Sequence, residues 1–313
     1  MKGVEDMNNM GRYVVKRIIL AIVTIFIISA ITFFAMHAIP GGPFNKEKAL
    51  SQATIDALNA RYNLDKPVPV QYVLYMKALL LEGDMGVSLK NGRDIATIIR
   101  ESFSISAKLG GMAAALALTC GVVFGCIAAL TRNRWPDRVI IFFSTLFTAV
   151  PSFILATLLL LIFCIKLAWV PAWSVENQNY ILPIIALSFY PMAYSTRLTK
   201  SAMLDALNQD YVRTAKAKGV STTKIVFKHA LRNALIPVVT YAGPMIAYIL
   251  TGSLVVETVF TIGGLGSKFV TGITNRDYTL IMAVTIFLSI LMVIANLITD
   301  IIYKIVDPRI SFD

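Results

Sequence analysis

Six runs dominated by apolar residues divide the chain, at residues 18–36, 104–130, 139–165, 181–198, 236–256 and 280–303. Each comes close to or exceeds the roughly 20 residues that a helix needs to cross a hydrocarbon layer. In that solvent every backbone N–H and C=O has to be satisfied inside its own segment, so runs of this length fold as helices. The expected fold is an all-α integral membrane protein with six transmembrane helices. Composition agrees: 57% of residues are hydrophobic and only 15% are charged, where an ordinary soluble domain carries about 25% charged residues. The first run exceeds the roughly 7–15 apolar residues of a cleaved signal peptide, and no A-x-A site follows it, so it reads as a signal anchor.

Six crossings put both termini on one side. The short segments on that side carry Arg12, Lys16 and Arg17, then Arg132, Arg134 and Arg138, then a basic stretch at 210–237, then Lys304 and Arg309. The opposite short loops carry Lys166 in one case and Lys268 with Arg276 in the other. The positive-inside bias therefore places both termini and the basic stretch in the cytoplasm of a cell membrane. Because the basic residues flank apolar runs and do not interleave with exposed aromatics, the formal charge of +11 is topological and no nucleic-acid partner is expected. Cys120, Cys126 and Cys164 fall inside apolar runs at spacings that match no zinc or haem pattern, so no metal is expected.

The largest segment between runs, 37–103, falls on the outside. A PGGP cluster at 40–43 takes the chain out of the first helix. An amphipathic helix is expected over 54–62 with Ile55, Leu58 and Tyr62 on one face, KPVP at 66–69 breaks it, a second helix follows over 70–81, and GDMG at 83–86 turns the chain. The result is a small external subdomain, too short for an ordinary substrate-binding domain.

The basic stretch has its own local logic. Asp210 is a suitable N-cap and Gly219 a suitable left-handed C′ residue, which predicts a two-turn helix over 211–218. Ser221 can cap a second helix through Ile225, Phe227 and Leu231, until Pro237 interrupts it or begins the next element. Arg213, Lys216, Lys218, Lys224, Lys228 and Arg232 make the unit cationic, and no acidic residue after Asp210 balances them within it. It is either an orientation signal or a docking knob for a partner protein. Elsewhere, Pro151, Pro183, Pro191 and Pro244 are bends lining a pathway or tolerated kinks. His37 and His229 read as interfacial or solvated. The glycine-rich segment 261–266 is an external turn with tight backbone, and it lacks the G-x-x-x-x-G-K-[ST] spacing of a phosphate loop, as does the whole chain.

These residues carry a resemblance. The basic stretch resembles the cytoplasmic coupling loop of membrane subunits of binding-protein-dependent ABC importers, whose general form is E-A-A-x3-G-x9-I-x-L-P. Ala215, Gly219 and Leu231 agree with it, whereas Arg213 stands for Glu, Thr214 for Ala, His229 for Ile and Arg232 for Pro. The variant DYVRTAKAKG at 210–219 with HALRNALIP at 229–237 is similar to the peptide and nickel branch. So are PGGP at 40–43, LDKP at 64–67 with QY at 71–72, GDMG at 83–86, VETVF at 256–260 with GLG at 264–266, and DPRI at 307–310. GGPF after the first run and ITNRDYTLIM before the last most resemble the first membrane subunit of an oligopeptide permease.

The resemblance implies the type I ABC importer permease fold, in three parts: a tail and first helix at 1–36, the external subdomain at 37–103, and a five-helix core at 104–313 with the coupling loop at 205–235. It implies a second, related permease subunit, two cytoplasmic ATPase subunits that bind the ATP, an extracytoplasmic peptide-binding protein, and no catalysis or cofactor in this chain. Asp210, Tyr211, Arg213, Thr214, Ala215, Lys218, Gly219 and Leu231 are the expected ATPase-contacting positions; pathway-lining residues are not identifiable. Dipeptide or nickel import is the alternative within the branch. A stand-alone secondary transporter is the alternative of another class, and it requires mid-membrane acids and inverted repeats.

Overall fold

The computed structural model describes residues 2–44 and 51–306, and among them the only pairing of extended backbone is one antiparallel bridge between Val87 and Asp94. The helices are α1 (Lys2–Ala38), α2 (Gln52–Arg61), α3 (Val68–Lys77), α4 (Ile95–Leu130), α5 (Trp135–Ala149), α6 (Ser152–Leu159), α7 (Ile181–Leu207), α8 (Asp210–Ala217), α9 (Thr222–Lys224), α10 (Leu231–Val259), α11 (Leu265–Asn275) and α12 (Tyr278–Val306). Wider π-helical turns follow α3, α6 and α9 at Ala78–Glu82, Leu160–Lys166 and Ile225–Ala230. The DPRI motif at 307–310 lies outside the described residues.

Among the described residues, Val15–Ala38, Ile95–Leu130 and Tyr278–Asp300 are long and apolar enough to cross a membrane, and the number rises from three to five if each of two bent pairs counts as one span. The expected third run is one of these pairs, Trp135–Ala149 and Ser152–Lys166, broken by a 106° bend. Proline supplies the reason: Pro151 has no N–H to continue the helix and pushes the residue before it out of the α region, and Val150 is extended at φ −86°, ψ 125°. At the expected fourth run, α7 is continuous for 27 residues with Pro191 inside it. Tyr190, Tyr194, Ser188, Ser195, Thr196 and Arg197 keep it less apolar than the others. Pro237 neither interrupts nor begins a helix. Both it and Pro244 lie inside α10, since a membrane helix can re-satisfy freed backbone groups locally.

The chain divides into two compact units, one holding Met1–Ile105 with Gly263–Val293 and the other Ser106–Ile262 with Ile294–Ser311. In the first, Phe33, Met36, Phe44, Tyr72, Leu89 and Met282 form a buried core. Helix α2 is capped by Ser51, whose Oγ accepts the Thr54 N–H at 3.3 Å, and α3 begins after Pro67 with Pro69 in its first turn. Asp277, 2% exposed, precedes α12 and accepts hydrogen bonds from Ser88 Oγ at 2.5 Å, Leu89 N–H at 3.1 Å and Leu280 N–H at 3.3 Å. One carboxylate thus caps α12 and fastens the end of the 37–94 segment. His37, expected to be interfacial or solvated, is not solvated. It is half-buried, stacked on Phe33 at 4.3 Å, and within hydrogen-bonding distance of Phe33 O at 2.9 Å and Gln71 Oε1 at 3.1 Å. In the glycine-rich segment the left-handed residue is Thr261 at φ +55°, not a glycine, and the segment leads directly into α11.

In the second unit α4 and α7 approach closely. A Cβ added at Gly121 or Gly125 would collide with the side chains of Ser195 and Thr199, the small-residue packing that lets membrane helices touch. Lys200 Nζ reaches Asp137 at 2.5 Å, joining α7 to the first turn of α5. Glu257 in α10 is fully buried and accepts from Ser106 Oγ at 2.6 Å and Ser253 Oγ at 2.7 Å.

Candidate functional site

The basic stretch joins α7 to α10. Gln209, extended at φ −73°, ψ 154°, is the N-cap of α8, and Asp210, expected in that role, is the first helical residue. There its carboxylate still faces the positive end of the helix, 3.5 Å from the Arg213 guanidinium. With side chains 74% and 95% exposed, that pair contributes little. The helix ends as the sequence predicts: Gly219 adopts φ +75°. Its N–H donates to Lys216 O at 3.0 Å, and the Val220 N–H donates to Ala215 O at 3.1 Å. Those two bonds make a Schellman motif, which satisfies carbonyls that the last turn leaves open.

Two contacts seat α8 on the unit. Val212 is fully buried, and the Tyr211 hydroxyl accepts a hydrogen bond from Asn233 Nδ2 of α10 at 2.9 Å. Arg213, Thr214, Lys216 and Lys218 are exposed and Ala215 is half-buried. The Thr214 hydroxyl donates to Asp210 O at 3.0 Å, back along its own helix. Downstream, Ile225, Val226 and Ala230 are buried while Phe227 stays 64% exposed. The π-helical turn gives this part of the chain an extra residue per turn, so that adjacent Ile225 and Val226 both reach the core. Leu231 does not join the exposed group. It packs against Ala129, Met203, Val226, Ala230 and Ala234, and so helps to seat the segment.

The structure therefore gathers Asp210, Tyr211, Arg213, Thr214, Ala215, Lys218 and Gly219 on one short, rigid, cationic projection and sets Leu231 apart. Beside α8 opens a cavity of 350 Å³ lined by Ala202, Asp205, Ala206, Gln209, Tyr211, Asn233 and Pro237. Sequence reasoning missed Val212 and Asn233. Val212 had a signal, as the one aliphatic β-branched residue in an otherwise polar helix; Asn233 had none. No group of three metal-ligating side chains occurs among the described residues. What this surface presents is exposed positive charge on a short, C-capped helix.

Residues 121–312 match the family described as binding-protein-dependent transport system inner membrane component, and residues 10–109 match the N-terminal part of the membrane component of such systems. The dipeptide transport system permease protein DppB of Bacillus subtilis is 43% identical over 305 residues, covering 96% of this chain and 98% of that protein. The oligopeptide transport system permease proteins OppB of Haemophilus influenzae and Salmonella typhimurium are 41% and 40% identical over 308 residues, covering 97% of this chain and all of each relative. Among solved structures, a chain of the MetNI methionine ABC transporter in an inward-facing conformation shares the fold, with a TM-score of 0.58 at 18% identity over 68% of this chain and 97% of that one. An amino acid ABC transporter gives a TM-score of 0.55 at 13% identity, over 67% of this chain and 94% of that one. With both family matches and relatives aligned over nearly their whole lengths, this multi-pass membrane protein belongs to the family of inner-membrane permease components of binding-protein-dependent transport systems.

Proposed function

We propose that the chain is a permease subunit of an ATP-driven ABC importer for oligopeptides, and that it forms half of the translocation pathway. The reading includes six membrane crossings, with the α5–α6 pair and α7 each counted as one, and cytoplasmic termini. It keeps the division into 1–36, an external subdomain at 37–103 and a core at 104–313. The second half of the pathway belongs to a related permease subunit, an extracytoplasmic binding protein delivers peptide, and two cytoplasmic ATPases bind and hydrolyse ATP.

The observation that carries the coupling part of this reading is α8: a two-turn helix fixed at both ends, buried through Val212 and exposed through Arg213, Thr214, Lys216 and Lys218. Such a projection moves as one body with α7 and α10. ATP-driven closure of the ATPases displaces it, and the rigid helices carry that displacement into the membrane. ATP acts on this chain only through the different affinities of the two ATPase states for the loop 205–235. The relatives' names favour a peptide cargo. The test is uptake by the purified importer, with its partner subunits, in vesicles: ATP-dependent accumulation of labelled peptide is expected. Nickel uptake indifferent to peptide would sink the cargo assignment, and uptake that persists without ATP on an ion gradient would sink the importer assignment.

A further inference from the structure

We infer that the outward face of α5 is a binding site for an anionic phospholipid of the cytoplasmic leaflet, with its phosphate at Arg134 and Arg138 and an acyl chain along Phe142 and Phe143; this rests on the orientation proposed above. Trp135, Arg138, Val139, Phe142, Phe143 and Leu146 recur every three or four residues and so share one face of the helix. All six are exposed, Trp135 by 76% and Phe142 by 63%. The rest of α5 is turned to the chain's own core. Asp137 and Ser144 are buried, Lys200 of α7 reaches Asp137, and Phe147 stacks on Phe189 of α7 at 4.2 Å.

Depth and the end residues mark this face as a lipid surface. From Trp135 to Leu146 the helix rises about 16 Å, close to one leaflet of a hydrocarbon core about 30 Å thick. The stripe stops where the chain bends by 106° into α6. A second exposed tryptophan, Trp169 at 70%, follows the π-helical turn at the other end of this span. Tryptophan at both ends is the pattern of a span facing lipid, because the indole is an apolar body with a donor suited to the headgroup level. A neighbouring membrane helix would call for small residues that admit close approach, as Gly121 and Gly125 do where α4 meets α7. Here two bulky rings, Phe142 and Phe143, stand edge to face at 5.4 Å between centres.

Charge selects the headgroup. Arg132, Arg134 and Arg138 are exposed about the Trp135 end, whereas Lys166 is the only basic residue in 139–196. Asp137 is the only acidic residue in 102–175. It is turned inward, where its carboxylate accepts from Lys200 Nζ and from the Asn133 N–H at 3.0 Å, and so it does not neutralise the outward Arg134 and Arg138. Those two arginines are one helical turn apart, about 6 Å along the axis. Guanidinium groups meet phosphate through paired N–H donors, and each basic residue near a membrane surface favours anionic lipid by about fivefold. One lipid thus satisfies both parts of the stripe, phosphate on the arginines and hydrocarbon on the rings.

The experiment uses the complete importer in phosphatidylcholine vesicles that carry a trace of a probe lipid with a photoreactive diazirine in one acyl chain, either phosphatidylglycerol or phosphatidylcholine. Illumination and peptide mapping are expected to place adducts on 135–146, with the phosphatidylglycerol probe labelling it about fivefold more strongly. In the Arg134→Gln/Arg138→Gln variant that excess is expected to vanish, and in Arg134→Lys/Arg138→Lys it is expected to persist in large part, since lysine keeps the charge. Equal labelling of the natural protein by the two probes would overturn the inference, as would a stripe that neither probe reaches because the second permease subunit covers it. If the Gln variant fails to assemble, the ratio measured on the natural protein decides. Both leaflets of these vesicles have the same composition, so the readout does not depend on orientation, which is tested separately with a membrane-impermeant maleimide on Thr131→Cys in intact cells. Labelling of that cysteine from outside would overturn the cytoplasmic placement, and the phospholipid site would then belong to the other leaflet.

Discussion

Two of the segments that join the long helices, 37–94 and 208–230, are built on opposite plans. In the first, the chain completes its own contacts. Phe44, Tyr72 and Leu89 are buried, Lys90 Nζ donates to Pro43 O at 2.6 Å, Arg276 donates to Gly41 O at 2.7 Å, and the Asp277 carboxylate closes the end. In the second, only aliphatic side chains such as Val212, Ile225 and Val226 turn inward, while Arg213, Lys216, Lys218, Lys224 and Lys228 stay exposed. Charged groups settled within a chain stabilise it; charges held out on a rigid helix are available to a partner. The contrast separates a region whose polar groups are satisfied within the chain from one whose charges face outward.

The largest effect is expected at Asp277, where the contrast can be broken outright. Asp277→Ala removes the acceptor for Ser88, Leu89 and Leu280 and leaves buried donors unsatisfied, at a cost of about 3 kcal/mol or more. A lowered thermal midpoint and faster tryptic cleavage after Lys90 or Arg93 are expected. Unchanged cleavage would mean that the 37–94 segment does not depend on its own chain in this way.

Next comes Val212, the one buried residue of α8. Val212→Ala is expected to cost about 2 kcal/mol but locally, with faster cleavage at Arg213 and Lys216 and slower ATP-driven uptake. Gly219→Val follows. No atom lies within 4 Å of an added Cβ, so the cost is backbone strain at φ +75°, about 1–2 kcal/mol. The importer is expected to assemble and hydrolyse ATP while moving less peptide per ATP. Normal uptake with a normal ATP ratio would remove Gly219 from the coupling account.

The smallest effect concerns the last residue of the first segment. Asp94 caps α4, and the Thr97 hydroxyl and N–H hold its carboxyl below the usual range. A depressed folded value means that the cap's contribution is present above the ordinary value near 4 and is lost as pH falls through the folded one. Faster amide exchange at Thr97 is therefore expected in strong acid and not near neutrality. The same pH dependence in Asp94→Asn would assign it to another group.

Legibility from sequence followed how local each determinant is. The Gly219 turn was readable because it rests on contiguous residues, and α2 and α3 were placed within a few residues for the same reason. Pro151 was legible as a bend or a tolerated kink, but the 106° size of its break was not, because hydropathy records burial, not direction. Asp277 carried an N-cap signal directly before an apolar run, but its bonds to Ser88 and Leu89 span some 188 positions and leave no pattern. Asp210 was given the cap because its side chain suits that role, and the chain used Gln209 because backbone geometry, not side-chain preference, set the helix start. His37 was read as interfacial or solvated, without a partner, since its acceptor on Gln71 lies 34 residues away.

The most direct test of the account is a cross-link from the exposed face of α8. Thr214→Cys, in the complete importer in native membranes, would be joined to cysteines introduced around the groove of each ATPase, with and without ATP; the unmodified chain, which keeps Cys120, Cys126 and Cys164, is the control. The expected result is a cross-link to one ATPase subunit whose yield changes with nucleotide. An assembled, correctly oriented importer that gives no such cross-link would contradict the account and leave the basic segment as an orientation signal alone.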